Sequence, residues 1–322
     1  MAVYTKITEE QLKGFLAGYD LGELEHFEGI AQGVSNTNYH VFTNKDRYVL
    51  TIFEPRRVNE KDLPFFLEFS GFLAENGIEC PQAMKDKNGN DIGEIQGQPA
   101  ILINFLTGSD IKVKDLSAEH CGQMGTFLAR MHNIADKFYK TRENSMGFDV
   151  FSALYKKISG QADEFETGLQ ILLKDELSYL QENWPQNLPS GVVHADAFPD
   201  NVFFDNGRLS AIIDFYFSCT DFYAFDLAIT LNAWCFDEHS NFVPEKFEAF
   251  IKGYEEERPL NQEEKQAFHI LCRAAVFRTL VSRLEEYFLY DPKTMEMTPH
   301  DPGAYLKRLT FHQEKDVMRE LA

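Results

Sequence analysis

The chain has 322 residues, enough for two domains or one large bilobal one, and its 44% hydrophobic and 14% aromatic content suffices for a packed core, into which the 29 Phe most simply fall. A net charge of −20 excludes the broad basic footprint of a nucleic-acid partner and favours solubility. No stretch approaches the roughly 20 apolar residues of a membrane span, and residues 1–6 carry no signal-peptide core. Cys80, Cys121, Cys219, Cys235 and Cys272 are scattered, with no CxxC pair and no zinc-ligand spacing. They read as small buried thiols of a reducing compartment, so the expected location is cytoplasmic.

In chain order, Thr8 and Gln11 have capping-box spacing before a short helix that closes near residues 19–22. The period then changes to two. Residues 24–30, 37–43 and 47–53 read as strands, the last two joined by a turn at Asn44-Lys45-Asp46. Residues 60–76 read as a helix stopped at Asn76-Gly77. Strands follow at 82–85, 91–95 and 100–105. After Gly108 the pattern is mainly helical. Cys121, Met124, Leu128, Met131 and Ala135 form one stripe between Ser117 and Phe138. Residues 150–182 look helical, and short apolar strands then fall at 191–194, 202–204 and 209–213, the last two joined by a hairpin turn at Asp205-Asn206-Gly207. Asp226 is the expected N-cap of a helix over 227–235, and further helices fill 244–257 and 262–290. The expected architecture is α+β: an N-terminal lobe, residues 1–105, with a small antiparallel sheet and one main helix, and a larger mostly helical lobe, residues 106–322.

The chemistry concentrates between residues 192 and 215. Asp196 is followed by Asn201 five positions on and by Asp214 thirteen beyond that, each beside an apolar strand-like run. Phosphoryl transfer needs this set: one carboxylate to take the proton of an attacking hydroxyl, and an amide and a second carboxylate to hold magnesium (Mg2+) on the phosphates of ATP. The order and spacing match the catalytic loop and metal-binding Asp of the protein-kinase-like fold. In that reading Asp196 is the base, Asn201 and Asp214 are the metal ligands, and His194 braces the loop. The plain alternatives are a turn Asp, a loop amide and a structural ion pair. His132, on the amphipathic helix, reads as a structural histidine.

In the first lobe, residues 29–38 join two strands and contain Gly33, Ser35 and Asn36, whose backbone amides can cradle phosphates. Thr51 stands where a phosphate-pairing Lys is expected, which leaves Lys45, Arg47, Arg56 or Arg57 as substitutes, or more reliance on magnesium. With no Lys, a pairing through Glu68 is doubtful. Residues 100–108 are the expected link between lobes, with backbone groups of Asn104, Phe105 and Leu106 facing the adenine.

Only eleven residues separate Asp214 from Asp226, too few for a protein-docking activation segment, so a small acceptor is favoured. The stretches from Val193 to Val202, from Ile213 to Asp221 and from Tyr223 to Cys235, with Gly33 to Tyr39 and Tyr48 to Glu54, resemble the aminoglycoside-phosphotransferase and choline-kinase-like superfamily, most closely its homoserine kinase branch. The resemblance spans essentially the whole chain. It implies ATP-dependent phosphorylation of the L-homoserine hydroxyl, giving O-phospho-L-homoserine for threonine synthesis, and it makes Thr51 familiar. Ala195 departs from a frequent Gly, and Phe198 from a frequent His. An acceptor with a carboxylate and an ammonium calls for an Arg and an acid. Arg273, Arg278 and Arg283 lie on one apolar helix, where at about 100° per residue they cannot share a face. Asp221 and Trp234 are further acceptor candidates. The other readings are a kinase of another small alcohol (choline, methylthioribose or an aminoglycoside) and a nucleotide-binding pseudokinase scaffold.

Overall fold

The computed structural model describes residues 4–30, 36–54, 59–291 and 299–320. It divides into two compact units, residues 1–108 with 210–216, and residues 109–209 with 217–322. The sequence alone set the division after residue 105 and kept residues 210–216 with the second part; by contacts they belong to the first.

The first unit opens with helix α1 (Glu9–Leu16), capped by the reciprocal Thr8–Gln11 pair. Strands β1 (Leu24–Gly29), β2 (Thr37–Thr43), β3 (Arg47–Ile52), β4 (Gly93–Ile95) and β5 (Gln98–Asn104) form one antiparallel sheet in the order β1-β2-β3-β5-β4. The alternation of β2 is strict, with Thr37, Tyr39, Val41 and Thr43 buried and the residues between them less so. That is what a pleated strand with one face on a core requires. Leu12 and Leu16 of α1 pack with Tyr39, Val41, Leu50, Ile52 and Leu102 on that face. Helix α2 (Leu63–Glu75), preceded by a single 3-10 turn at Glu60–Asp62, packs Leu63 and Phe66 with Phe53 and Ile101.

Residues 82–85, expected as a strand, make only one isolated bridge, Ala83 to Ile103, although the Met84 N–H reaches Leu102 O at 2.7 Å.

The second unit contains α3 (Ala118–Ala135), α4 (Phe148–Ile158), α5 (Ala162–Phe165), α6 (Leu169–Asn183), β6 (Ser190–Val193), β7 (Val202–Asp205), β8 (Arg208–Ile212, continuing into the first unit), β9 (Cys219–Phe222), α7 (Tyr223–Trp234), α8 (Pro244–Glu257), α9 (Gln262–Leu289), α10 (Gly303–Glu314) and α11 (Val317–Glu320). Strands β6 and β9 pair antiparallel, and β7 and β8 form a hairpin whose turn uses Asn206 (φ 49°) and Gly207 (φ 77°), the left-handed pair a tight hairpin demands. Every residue of helix α7 is buried, the polar Asp226, Thr230 and Asn232 among them, so it is the central helix of this unit. All five cysteines are buried and unpaired; burial pushes the thiols of Cys80 and Cys219 up to about 12. Among the described residues no helix is long and apolar enough to cross a membrane.

Helices α3 and α8 cross closely because small residues face each other. A Cβ on Gly125 would overlap the Phe250 carbonyl, and one on Gly253 would overlap that of Gly122. Both obstacles are backbone, which cannot rotate away. Gly125→Ala or Gly253→Ala is therefore expected to destabilise by about 2 kcal/mol or more through overpacking. Gly160→Ala, with open space around it, is the control. Thermal unfolding of the three variants checks this; equal melting points for all three would refute the steric argument.

Candidate active site

Residues 193–202 run from the end of β6 to the start of β7. Val193, His194, Ala195, Ala197, Pro199 and Val202 are buried, whereas Asp196 and Asn201 reach solvent. Asn201 Nδ2 donates to the Asp196 backbone carbonyl at 2.9 Å and to its carboxylate Oδ2 at 3.1 Å. Both amide hydrogens are thereby directed at Asp196, which fixes the flip of the amide and turns Asn201 Oδ1 to the opposite side. His194 does brace the loop: its Nδ1 accepts the Asp196 N–H at 3.2 Å, and the ring is fully buried.

Ala195 adopts φ +63°. A left-handed conformation costs a residue with a Cβ about 1–2 kcal/mol, so something must hold it. The Asp226 carboxylate accepts the N–H of Ala195 at 2.8 Å and that of His194 at 3.2 Å. Arg278 donates to the Ala195 carbonyl at 3.0 Å, and Trp234 Nε1–H to the Ala197 carbonyl at 2.8 Å. Three consecutive peptide groups around Ala195, and the one after Ala197, therefore meet a buried side chain.

Asp226 is wholly buried and needs compensation of its own. His132 Nε2 lies 3.0 Å from Asp226 Oδ2, and His132 Nδ1 lies 2.8 Å from the Tyr254 hydroxyl. Arg258 donates to that hydroxyl at 3.2 Å and to Glu264 at 2.9 Å. The polarity runs one way: guanidinium to phenol oxygen, phenol hydrogen to Nδ1, Nε2–H to carboxylate. Burial would raise the Asp226 carboxyl, but the hydrogen bonds from His132 and from the Ala195 N–H hold it below the usual carboxylate range. Burial likewise depresses His132, against the pull of Asp226. The pair is an ionised carboxylate beside a neutral imidazole.

In the first unit, Asp214 also has a left-handed backbone, φ +66°. The residues after it anchor it: Phe215 packs edge-on against Phe69, and Tyr216 edge-on against Phe53 and Phe66. Thr51 is buried in β3, and its hydroxyl donates to Asn38 Oδ1 at 2.7 Å. Of the cations that could stand in for the missing Lys, Lys45 reaches the Asp20 carbonyl at 3.0 Å and Arg47 lies over the Phe105 ring at 3.9 Å. Arg56 and Arg57 lie outside the described residues, as do Gly33 and Ser35. Asn36 is buried and accepts the Glu54 N–H at 3.3 Å. The Asn104 side chain accepts the Gln82 N–H at 2.7 Å, and Leu106 follows half-buried at the end of the strand.

The acceptor candidates separate. Arg273 is committed to a two-pronged ion pair with buried Glu176, at 2.8 and 2.6 Å, and stacks on Tyr179. Its partner is Glu176 on α6, not the surface acids near its own helix. Arg283 lies over Tyr305 and donates to the Asp301 carbonyl. Trp234 is fully buried behind the loop and is a support rather than a pocket wall. Asp221 stays half-buried; burial raises its carboxyl, against hydrogen bonds from Asn144 (2.5 Å) and the Phe222 N–H. Of the three arginines, Arg278 is the one that bonds the 193–202 loop.

The model of a phosphotransferase enzyme family matches residues 26–260. The chain belongs to that family. It is 45% identical over 99% of its length, and 98% of the relative's, to a homoserine kinase of Xanthobacter autotrophicus, and 42% identical, over the same shares, to one of Methylobacterium radiotolerans. Solved structures with the same fold include the amicoumacin kinase hAmiN (TM-score 0.71, 16% identity, 98% of each chain) and a choline kinase of Cryptosporidium parvum (TM-score 0.68, 16% identity, 98% of this chain and 96% of that one). The fold of this phosphotransferase is thus the protein-kinase-like α+β fold, with an antiparallel sheet in one unit and helices dominating the other.

Asp226 is not the N-cap of α7. That position is Phe222, and Asp226 sits inside the first turn, aimed at the catalytic loop. A carboxylate before an apolar run looks the same from sequence whether it caps its own helix or reaches elsewhere. Tyr254, Arg258 and Glu264 carried no signal that could have linked them to the loop.

Two tests follow from this network. Asp226→Asn replaces an acceptor of three donors with a group half of which donates, so kcat should fall about 100-fold or more while nucleotide binding persists; near-normal turnover would detach the network from the loop. Buried His312, hydrogen-bonded to Asn232 at 2.8 Å, is depressed by burial to about 3, and His132 is depressed as well. Below about pH 6.5 the unfolded chain protonates both imidazoles while the folded chain refuses. Stability should therefore fall as pH falls, by up to about 1.4 kcal/mol per pH unit for each imidazole. Urea midpoints that do not drop between about pH 7.5 and 5 would contradict it.

Proposed function

We propose that this phosphotransferase transfers the γ-phosphoryl group of ATP to the hydroxyl of L-homoserine, giving O-phospho-L-homoserine and ADP, a step of threonine biosynthesis. The observation that carries the reading is the end-to-end likeness to homoserine kinases. The loop chemistry agrees with it.

In this reading the Asp196 carboxylate orients the acceptor hydroxyl and takes its proton as the oxygen bonds to the γ-phosphorus and the bond to ADP breaks. The Asn201 hydrogen bond keeps the carboxylate turned to the acceptor. His194 and the carboxylate of Asp226 keep the backbone beneath it from relaxing. Magnesium is a hard cation that takes one or two protein oxygens together with phosphate oxygens. Asn201 Oδ1 and the Asp214 carboxylate suit that demand, and among the described residues no cluster of three or more His, Cys, Asp or Glu offers a different cage. When bound, magnesium supplies charge neutralisation on the phosphates. Asn36, Thr51 and the backbone at Asn104, Phe105 and Leu106, with Gly33 and Ser35 on sequence grounds, are the residues assigned to the nucleotide. Asp221 is the carboxylate assigned to the acceptor ammonium. We place the reaction in the cytoplasm.

An ADP-release assay with a panel of acceptors tests this. L-homoserine should be turned over, with phosphorus NMR showing a phosphate monoester on its side-chain oxygen. Turnover of choline, methylthioribose or an aminoglycoside in its place would sink the assignment. Asp196→Ala should lower kcat by about 100- to 10,000-fold, the usual worth of a positioned base, with ATP affinity retained.

A further inference from the structure

We propose that Arg278 is a positioning residue for phosphoryl transfer, holding the strained backbone at Ala195 that aims Asp196. The inference rests on the reading of Asp196 as the base.

Ala195 carries a Cβ yet sits at φ +63° and is itself buried. Its two flanking peptide groups are gripped from opposite sides. The N–H side bonds to Asp226 on α7, and the C=O side bonds to Arg278 on α9, eighty-three positions away in sequence. Fixing the amide hydrogen constrains φ, and fixing the carbonyl constrains ψ. Neither anchor alone determines the conformation. The next atoms along the chain are the N–H and side chain of Asp196, so any relaxation at Ala195 rotates the base directly.

The character of the donor supports the assignment. Arg278 is 5% exposed, and on an otherwise apolar stretch of α9 a buried guanidinium needs a reason. Its charge acts on the Asp221 carboxyl, lowering it against the effect of burial. A guanidinium is always charged and presents donors in a rigid fork, so it can bond a carbonyl while staying compensated. An ammonium lacks that fork. One guanidinium nitrogen is committed to the loop carbonyl, so a positioning role needs only the bond already made, and variant kinetics separate it from acceptor binding by the remaining donors.

A role confined to folding and a role in aiming the base predict different kinetics. Arg278→Met should lower kcat by about 30-fold or more, with KM for ATP and homoserine within about threefold, because binding groups are untouched. Arg278→Lys should fall between. The deciding variant is Arg278→Met with Ala195→Gly. Glycine takes a left-handed backbone without penalty, so it should restore about fivefold or more of the lost kcat. Recovery of this size supports the proposal. No recovery, or a loss of stability with unchanged kcat in the folded fraction, overturns it. A rise in homoserine KM with kcat retained also overturns it, by making Arg278 a direct acceptor ligand. If Arg278→Met does not fold, the Arg278→Lys protein with and without Ala195→Gly gives the same comparison. Asp196→Asn runs alongside: full activity there removes the base reading itself, whereas an inactive Asp196→Asn with an unimpaired Arg278→Met removes only the inference about Arg278.

Discussion

A single buried carboxylate, Asp226, sets the terms for the loop over residues 193–202. The backbone N–H groups of His194 and Ala195 are buried, and the Asp226 carboxylate accepts from both. Ionised and wholly enclosed, that acceptor needs a donor in return, and His132 provides it. His132 needs a partner for its other nitrogen, which brings in Tyr254, and the phenol oxygen brings in Arg258 and Glu264. The glycines at the α3–α8 crossing belong to the same account. His132 rides on α3 and Tyr254 on α8, so their 2.8 Å contact exists only because the two backbones approach this closely.

Two positions beside the candidate site with a left-handed backbone, Ala195 and Asp214, are held by different means. Ala195 is fixed by charged hydrogen bonds from two helices. Asp214 is followed by two aromatic rings seated among Phe53, Phe66 and Phe69. One device is directional and sensitive to the loss of a single atom. The other is a packed cluster in which several contacts share the restraint.

How far the sequence could be read depends on the range of the interaction. Asp196, Asn201 and Asp214 announced themselves because their chemistry is encoded in local spacing. The strand alternation in β2 and the Thr8–Gln11 cap were legible for the same reason, each being written within a few residues. Helix α9 shows the limit. Its periodicity predicted that Arg273, Arg278 and Arg283 face different ways, but nothing in it could say that Arg273 meets Glu176 ninety-seven positions upstream while Arg278 meets Ala195. Asp226 was misread on the same ground, since a short-range rule was applied to a residue whose partners lie thirty-one and ninety-four positions away. At residues 82–85 the strand reading was right about proximity to β5 and wrong about regular pairing, which is confined to one bridge at Ala83 and the bonds beside it.

The five enclosed thiols have a practical meaning. With none of them at the surface and Cys80 and Cys219 far from forming thiolate at neutral pH, a maleimide or disulfide reagent meets a folded molecule that offers it nothing. Cys80 lies in the sheet unit and the other four in the helical one. Mass-resolved alkylation over time would therefore read out, without any added probe, how often each half of the molecule opens independently of the other.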